Sequence, residues 1–144
     1  MTHGPTYPPR EITKQIISAV KLWYRTSLLL RDLCEANRIQ YFHFLQPNQY
    51  VPDSKPMGEE ERRIAYSADH PQRVLVEDAY PRLRRMGEML KSEGVNFFDL
   101  TEIFKDHDEP IFIDNCCHIS EDGNVLLGRR IGIAMKGVLP QNAE

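Results

Sequence analysis

From Glu11 onward apolar side chains recur at steps of three and four: Ile12, Ile16, Ala19, Val20, Trp23, Tyr24, Ser27, Leu30 and Cys34 fall on one face. That is the mark of a helix with one buried side. Leu28 and Leu29 widen the stripe, as on a helix packed against a sheet. Ile39 to Leu45 is a nearly continuous apolar and aromatic run, which suits a strand buried on both faces of a parallel sheet. His43 interrupts it and reads as a hydrogen-bonded core histidine. A second helical stripe runs over residues 72–92 through Val76, Tyr80, Leu83, Gly87 and Leu90. Pro81 should kink or restart that helix, because proline lacks the backbone donor and clashes with the preceding turn. Glu93-Gly94 closes it. Residues 95–100 form the next strand, Thr101 to Phe104 a helical turn, and Asn124 to Lys136 a last helix.

Between the first strand and the second long helix lies a connection over residues 46–71, punctuated by Pro47, Pro52, Pro56, Gly58 and Pro71. Such a length is uncommon unless the segment is functional or carries its own short helix. Glu59 to Tyr66 supplies that helix, with acids leading and Arg62 and Arg63 following, as the macrodipole favours. The segment reads as a long loop or lid on a cleft, with few core contacts and hence the highest mobility inside the chain. Residues 1–10, with three prolines and a glycine, predict a disordered start.

The order helix, strand, loop, helix, strand, loop, helix predicts the α/β class: a three-layer, doubly wound parallel sheet. Two strands make a very small sheet whose apolar faces and unpaired edge would meet water. The sheet is therefore expected to be incomplete, and to be completed by self-association or by an N-terminal half supplied by the parent protein.

Composition narrows the function classes. The 144 residues form a single domain spanning 1–144, with a formal net charge of −3. Arginines such as Arg82, Arg84 and Arg85 are interleaved with acids, so nothing predicts a nucleic-acid partner. No apolar stretch is long enough to span a bilayer. The sequence from Met1 to Pro5 has no basic n-region followed by an apolar core, which leaves the compartment open. Three cysteines cannot all pair with one another, and a bond between the adjacent Cys116 and Cys117 would be strained. Cys116, Cys117 and His118 lack the Cys-x2-4-Cys spacing of a zinc site, so no metal is expected.

The chemistry-bearing stretch is Asp114-Asn115-Cys116-Cys117-His118-Ile119-Ser120-Glu121-Asp122-Gly123-Asn124. It follows the apolar run Pro110 to Ile113 and opens the last helix. Histidine is the usual general base near neutral pH, and a neighbouring carboxylate fixes its tautomer and direction. The same spacing also suits an Asx turn at Asp114 and a packing role for His118. Gln46, Asn48 and Gln49 follow the first strand. Ligands of open parallel sheets sit beyond the carboxyl ends of strands, so these amides either line a substrate cleft or cap a proline turn.

Phe112 to Asn124 resembles the last block of the SGNH (GDSL-type) hydrolases, in which an Asp and a His complete a Ser-His-Asp triad and a Gly-Asn opens the last helix. Tyr41 to Gln49 and Gly94 to Thr101 resemble the last two strands of that flavodoxin-like fold. The resemblance runs from about Trp23 to Met135 and covers only the C-terminal portion of a family member. It implies an esterase or lipase-type hydrolase acting on a small ester or acylated substrate, with His118 as base, Asp114 as its orienting acid, and no cofactor. The family's usual spacing puts the acid at Asn115, which is the alternative to Asp114. The nucleophile block Gly-Asp-Ser and the Gly-x-Asn-Asp block that supplies oxyanion donors are both absent from the sequence. The rival expectation is a catalytically inactive, truncated homologue that binds a ligand or a partner chain.

Overall fold

A computed structural model describes residues 9–139. Their order is α1 (Pro9–Ala36), β1 (Phe42–Leu45), α2 (Glu59–Ala65), α3 (Pro71–Ser92), β2 (Asn96–Asp99) and α4 (Glu121–Val138). The expected disordered start lies outside the described residues, except that Pro9 and Arg10 already belong to α1. α3 runs through Pro81 as one helix. Gly94 takes a positive φ of 88° at the step from α3 into β2, a conformation that favours glycine.

β1 and β2 pair in parallel, Phe42 opposite Asn96 through Leu45 opposite Asp99. Alternation divides the sheet into two faces. His43 and Phe97 point towards α1, where the rings of Trp23 and His43 meet edge-on at 4.5 Å. α3 packs against α1 and both strands. Leu45, Tyr80, Leu90, Val95 and Phe97 form the main core there. His43 is half-buried and hydrogen-bonded: its Nδ1 lies 2.7 Å from Ser27 Oγ, and desolvation lowers its pKa.

The opposite face carries Phe42, Phe44 and Phe98, with Phe44 stacked on Phe98 at 5.4 Å. These rings stay only partly covered. Cavities of about 410 and 320 Å³ separate α4 from β2 and the turn after it. The full three-layer, doubly wound sheet is therefore not formed. Among the described residues the architecture is mixed α/β, with four helices and a two-stranded parallel sheet.

The physical reason lies at residues 110–113. That apolar run makes only an isolated antiparallel bridge, Phe112 to Ile119. Its Ile111 and Phe112 N–H groups donate to the Glu61 carboxylate at 2.8 Å each. Donors engaged by a side chain cannot join a strand ladder. Ile111 and Phe112 instead build a second small core with Ala65 and Phe104.

The connection over 46–71 differs from its expectation of few core contacts. Tyr50, Val51, Ser54, Lys55, Glu61 and Ala65 are all buried. Lys55 Nζ and Glu61 Oε2 form an ion pair at 2.7 Å with both side chains 0 % exposed. The segment is pinned at its centre by buried charge and at its start by aromatic packing.

Candidate functional site

Asp114 and His118 sit on a tight loop closed by two backbone bonds, Ile113 N–H to His118 O at 3.0 Å and Ser120 N–H to Ile111 O at 2.8 Å. Turning the chain within so few residues puts Cys117 at a positive φ of 79°. Asp114 organises the turn. Its Oδ1 accepts from the N–H groups of Cys116 at 2.8 Å and His118 at 3.2 Å. Its Oδ2 lies 2.5 Å from His118 Nδ1. Both sequence readings of the acid thus hold together: it is an Asx-type turn residue through one oxygen and a histidine partner through the other. Asn115 lies exposed, and its backbone carbonyl accepts from the Tyr50 hydroxyl at 3.2 Å.

The hydrogen bond from His118, then that from the Cys116 N–H, holds the Asp114 carboxyl below the usual carboxylate range. An ionised carboxylate only accepts, so Nδ1 of the neutral imidazole carries the proton and Nε2 keeps its lone pair. The ring is 67 % exposed. A base oriented in this way can take a proton from a hydroxyl or water brought to Nε2.

The amides after β1 are placed differently from one another. Gln46 is exposed. Asn48 and Gln49 are 5 % and 3 % exposed. Asn48 Oδ1 accepts from the Tyr50 N–H at 3.0 Å. Gln49 Nε2 donates to the carbonyls of Ala65 at 3.1 Å and Asp114 at 3.0 Å. Gln49 and Tyr50 thereby tie the Asp114 loop to the segment that leaves the carboxyl end of β1. Leu100 N–H bonds Leu45 O at that same end, 2.9 Å away. Sequence reading did not single out Tyr50, Lys55 or Glu61. The acids at Glu59 to Glu61 read as the start of a short helix that suits the macrodipole, and only the fold turns Glu61 inward.

Ser120 is the serine nearest His118 in sequence. Its Oγ accepts from the Gly123 N–H at 3.2 Å and caps α4. Gly123 has no side chain to hold apart the first turn of α4 and Ile111: a Cβ there would lie 2.9 Å from Ile111 Cγ2. The Gly-Asn pair at the start of the helix therefore docks α4 onto the loop that carries His118. Among the described residues no three His, Cys, Asp or Glu side chains gather as metal ligands would, and Cys34, Cys116 and Cys117 are free thiols. No helix among them is long and apolar enough to cross a membrane.

No family model, curated protein or solved structure matches the chain significantly. Any functional reading therefore rests on the geometry of its own residues.

The geometry makes a titration prediction. In a carboxyl-detected NMR titration, Asp114 should titrate below the ordinary aspartate range, and His118→Ala should move its midpoint up towards that range. A depressed folded value means that the carboxylate's contribution to loop stability is present above the ordinary aspartate range and lost as the pH falls through the lowered one. A midpoint that His118→Ala leaves unmoved would assign the depression to the backbone donors alone.

Proposed function

We propose that the chain carries the His-Asp end of an SGNH-like esterase or lipase-type hydrolase, with His118 as general base and Asp114 as its orienting acid. The observation that supports this is the 2.5 Å contact between His118 Nδ1 and Asp114 Oδ2 on a loop held beside the carboxyl end of β1. In that mechanism a serine that this sequence does not itself supply presents its hydroxyl to Nε2 of His118. His118 takes the proton as the serine oxygen attacks the ester carbonyl, and Asp114 steadies the imidazolium that forms. His118 then returns the proton to the departing alcohol.

A second reading, a catalytically inactive homologue that binds a ligand or a partner chain, is favoured by a different observation. Ser120 Oγ is engaged in capping α4, and Ser27, the serine that does bond a histidine, is 1 % exposed. Nucleophile, base and orienter act as a unit, so a base without its serine loses most of the rate. The lack of the family's oxyanion block removes a further factor of about 10² to 10³.

The chain alone is accordingly expected not to hydrolyse short-chain p-nitrophenyl esters and not to react with a fluorophosphonate probe. Stoichiometric labelling of one serine, abolished by His118→Ala, would overturn that expectation. The hydrolase reading itself is tested by supplying a Gly-Asp-Ser-containing half in trans or by fusion. Esterase activity that appears with it and is lost in His118→Ala supports His118 as base. Activity that survives His118→Ala leaves the binding reading standing.

A further inference from the structure

α1 buries one side against α3 and the sheet, yet its outer side is also apolar. Ala19, Leu22, Thr26, Leu29 and Leu33 alternate steps of three and four along it, and all five are exposed, so Ala19 and Leu29 do not belong to the buried stripe in which their spacing placed them. Leu22, Leu29 and Leu33 are 66 %, 68 % and 61 % exposed. A surface helix normally shows a period of 3.6 residues and a single apolar stripe. An alternating three–four step is instead the spacing of a seam between two helices. Large leucines left so exposed on a seam point to a partner.

We infer that the occupant of this seam is α1 of a second copy of this chain, running antiparallel across a two-fold axis. The two flanks of the seam decide both the partner and the direction. One flank carries Arg25 and Asp32, and the other carries Trp23 and Leu30. A parallel pair would set each charged flank against the apolar flank of its neighbour. An antiparallel pair sets charged against charged and apolar against apolar, because the same flanks then face each other. In that arrangement Leu22 lies opposite Leu33 of the second copy and Thr26 opposite Leu29. Arg25 meets Asp32 of the second copy, and the two-fold axis makes that pair twice.

The apolar flank supports the same occupant. Leu22, Trp23 and Leu30 border an open groove of about 480 Å³ that runs down to Tyr41 and His43. The antiparallel arrangement brings Trp23 and Leu30 of the second copy to this groove, so one self-complementary contact covers both the leucine seam and the groove. Asp32 already lies 2.6 Å from Arg31 of its own helix, so in the dimer it sits between two guanidinium groups. The inference is independent of the hydrolase reading, since it uses no residue of the Asp114 loop.

Sedimentation velocity on the full chain, from low to high micromolar concentration, tests it. A reversible dimer is expected. Leu22→Glu with Leu29→Glu should leave a monomer whose helical circular dichroism is unchanged. Arg25→Glu should weaken the dimer by roughly threefold to tenfold, the scale of rim charge pairs counted twice. Adding Asp32→Lys to Arg25→Glu should recover most of that loss. A chain that stays monomeric throughout, or a dimer that Leu22→Glu with Leu29→Glu leaves intact, overturns the proposal. A double reversal no tighter than the single one overturns the antiparallel register.

Discussion

Glu61→Ala is expected to destabilise this protein more than any substitution at the Asp114–His118 pair. Glu61 and Lys55 are both fully buried, 2.7 Å apart. Lys55 Nζ has one further partner, the carbonyl of Pro56 at 2.9 Å. Removing the carboxylate leaves an ammonium ion in a dry interior, a change that costs about 3–5 kcal/mol where one partner of a buried pair is deleted. The loss does not stop at the ion pair. Glu61 Oε1 is also the acceptor for the N–H groups of Ile111 and Phe112 at 2.8 Å. Each buried donor left without an acceptor costs on the order of 1–3 kcal/mol. Domains of this size are stable by about 5–15 kcal/mol, so the variant is expected to be largely unfolded. Lys55→Met with Glu61→Gln removes both charges and keeps one side-chain acceptor, and it should recover a substantial part of the loss. Urea unfolding followed by tryptophan fluorescence measures both. A loss under about 1 kcal/mol in Glu61→Ala, the range of an exposed pair, would mean that water reaches the site.

Gly87→Ala is expected to be the next most damaging change. The ring of Phe97 lies against the backbone of α3 at Gly87, so an added Cβ would sit 2.1 Å from Cε1 and 2.2 Å from Cζ of that ring. Phe97 is 2 % exposed and is packed by Trp23 and His43 as well. It has no free side to move towards. Overpacking of a filled core costs typically about 1–3 kcal/mol, with helix propensity returning up to about 1 kcal/mol because alanine replaces glycine within a helix. Here the overlap involves a ring wedged between a helix and a strand, so the upper part of that range is expected. Phe97→Leu makes a cavity on its own, yet combined with Gly87→Ala it should restore part of the loss. A double-mutant cycle by urea unfolding measures the coupling. Additive losses would mean that α3 simply shifts away from the sheet.

Much of the fold was legible because periodicity and backbone chemistry are local. The stripe on α1 and the apolar run into β1 locate two elements to within a few residues. Gly94 had to end α3, since its φ of 88° is one that few side chains accept. The resemblance of Phe112 to Asn124 to a hydrolase block brought Asp114 and His118 to notice; their spacing alone fits an Asx turn equally well, and their contact was visible only in the structure.

Tertiary structure decided what depends on distant partners. Which side chain meets His118, the Asp114 carboxylate or the Asn115 amide, was open in the sequence. The choice follows from the turn, in which Gln49 and Tyr50 hold the carbonyls of Asp114 and Asn115 while the Asp114 carboxylate caps the loop. Pro81 did not break α3, because its neighbours Val76, Tyr80 and Leu90 are fixed in the core whatever the local preference. The residues 46–71 read as a lid with one short helix and few core contacts because their proline spacing is visible and their burial is not. Nothing local in the sequence marks Lys55 and Glu61 as buried until the fold closes over both; Glu61 then binds Lys55 through one carboxylate oxygen and takes the N–H groups of Ile111 and Phe112 with the other, so these two join no ladder. Periodicity reports which face of an element is apolar; it says nothing of what lies across from that face, and that is why the small sheet was legible in the sequence while the exposed seam of α1 appeared only in three dimensions.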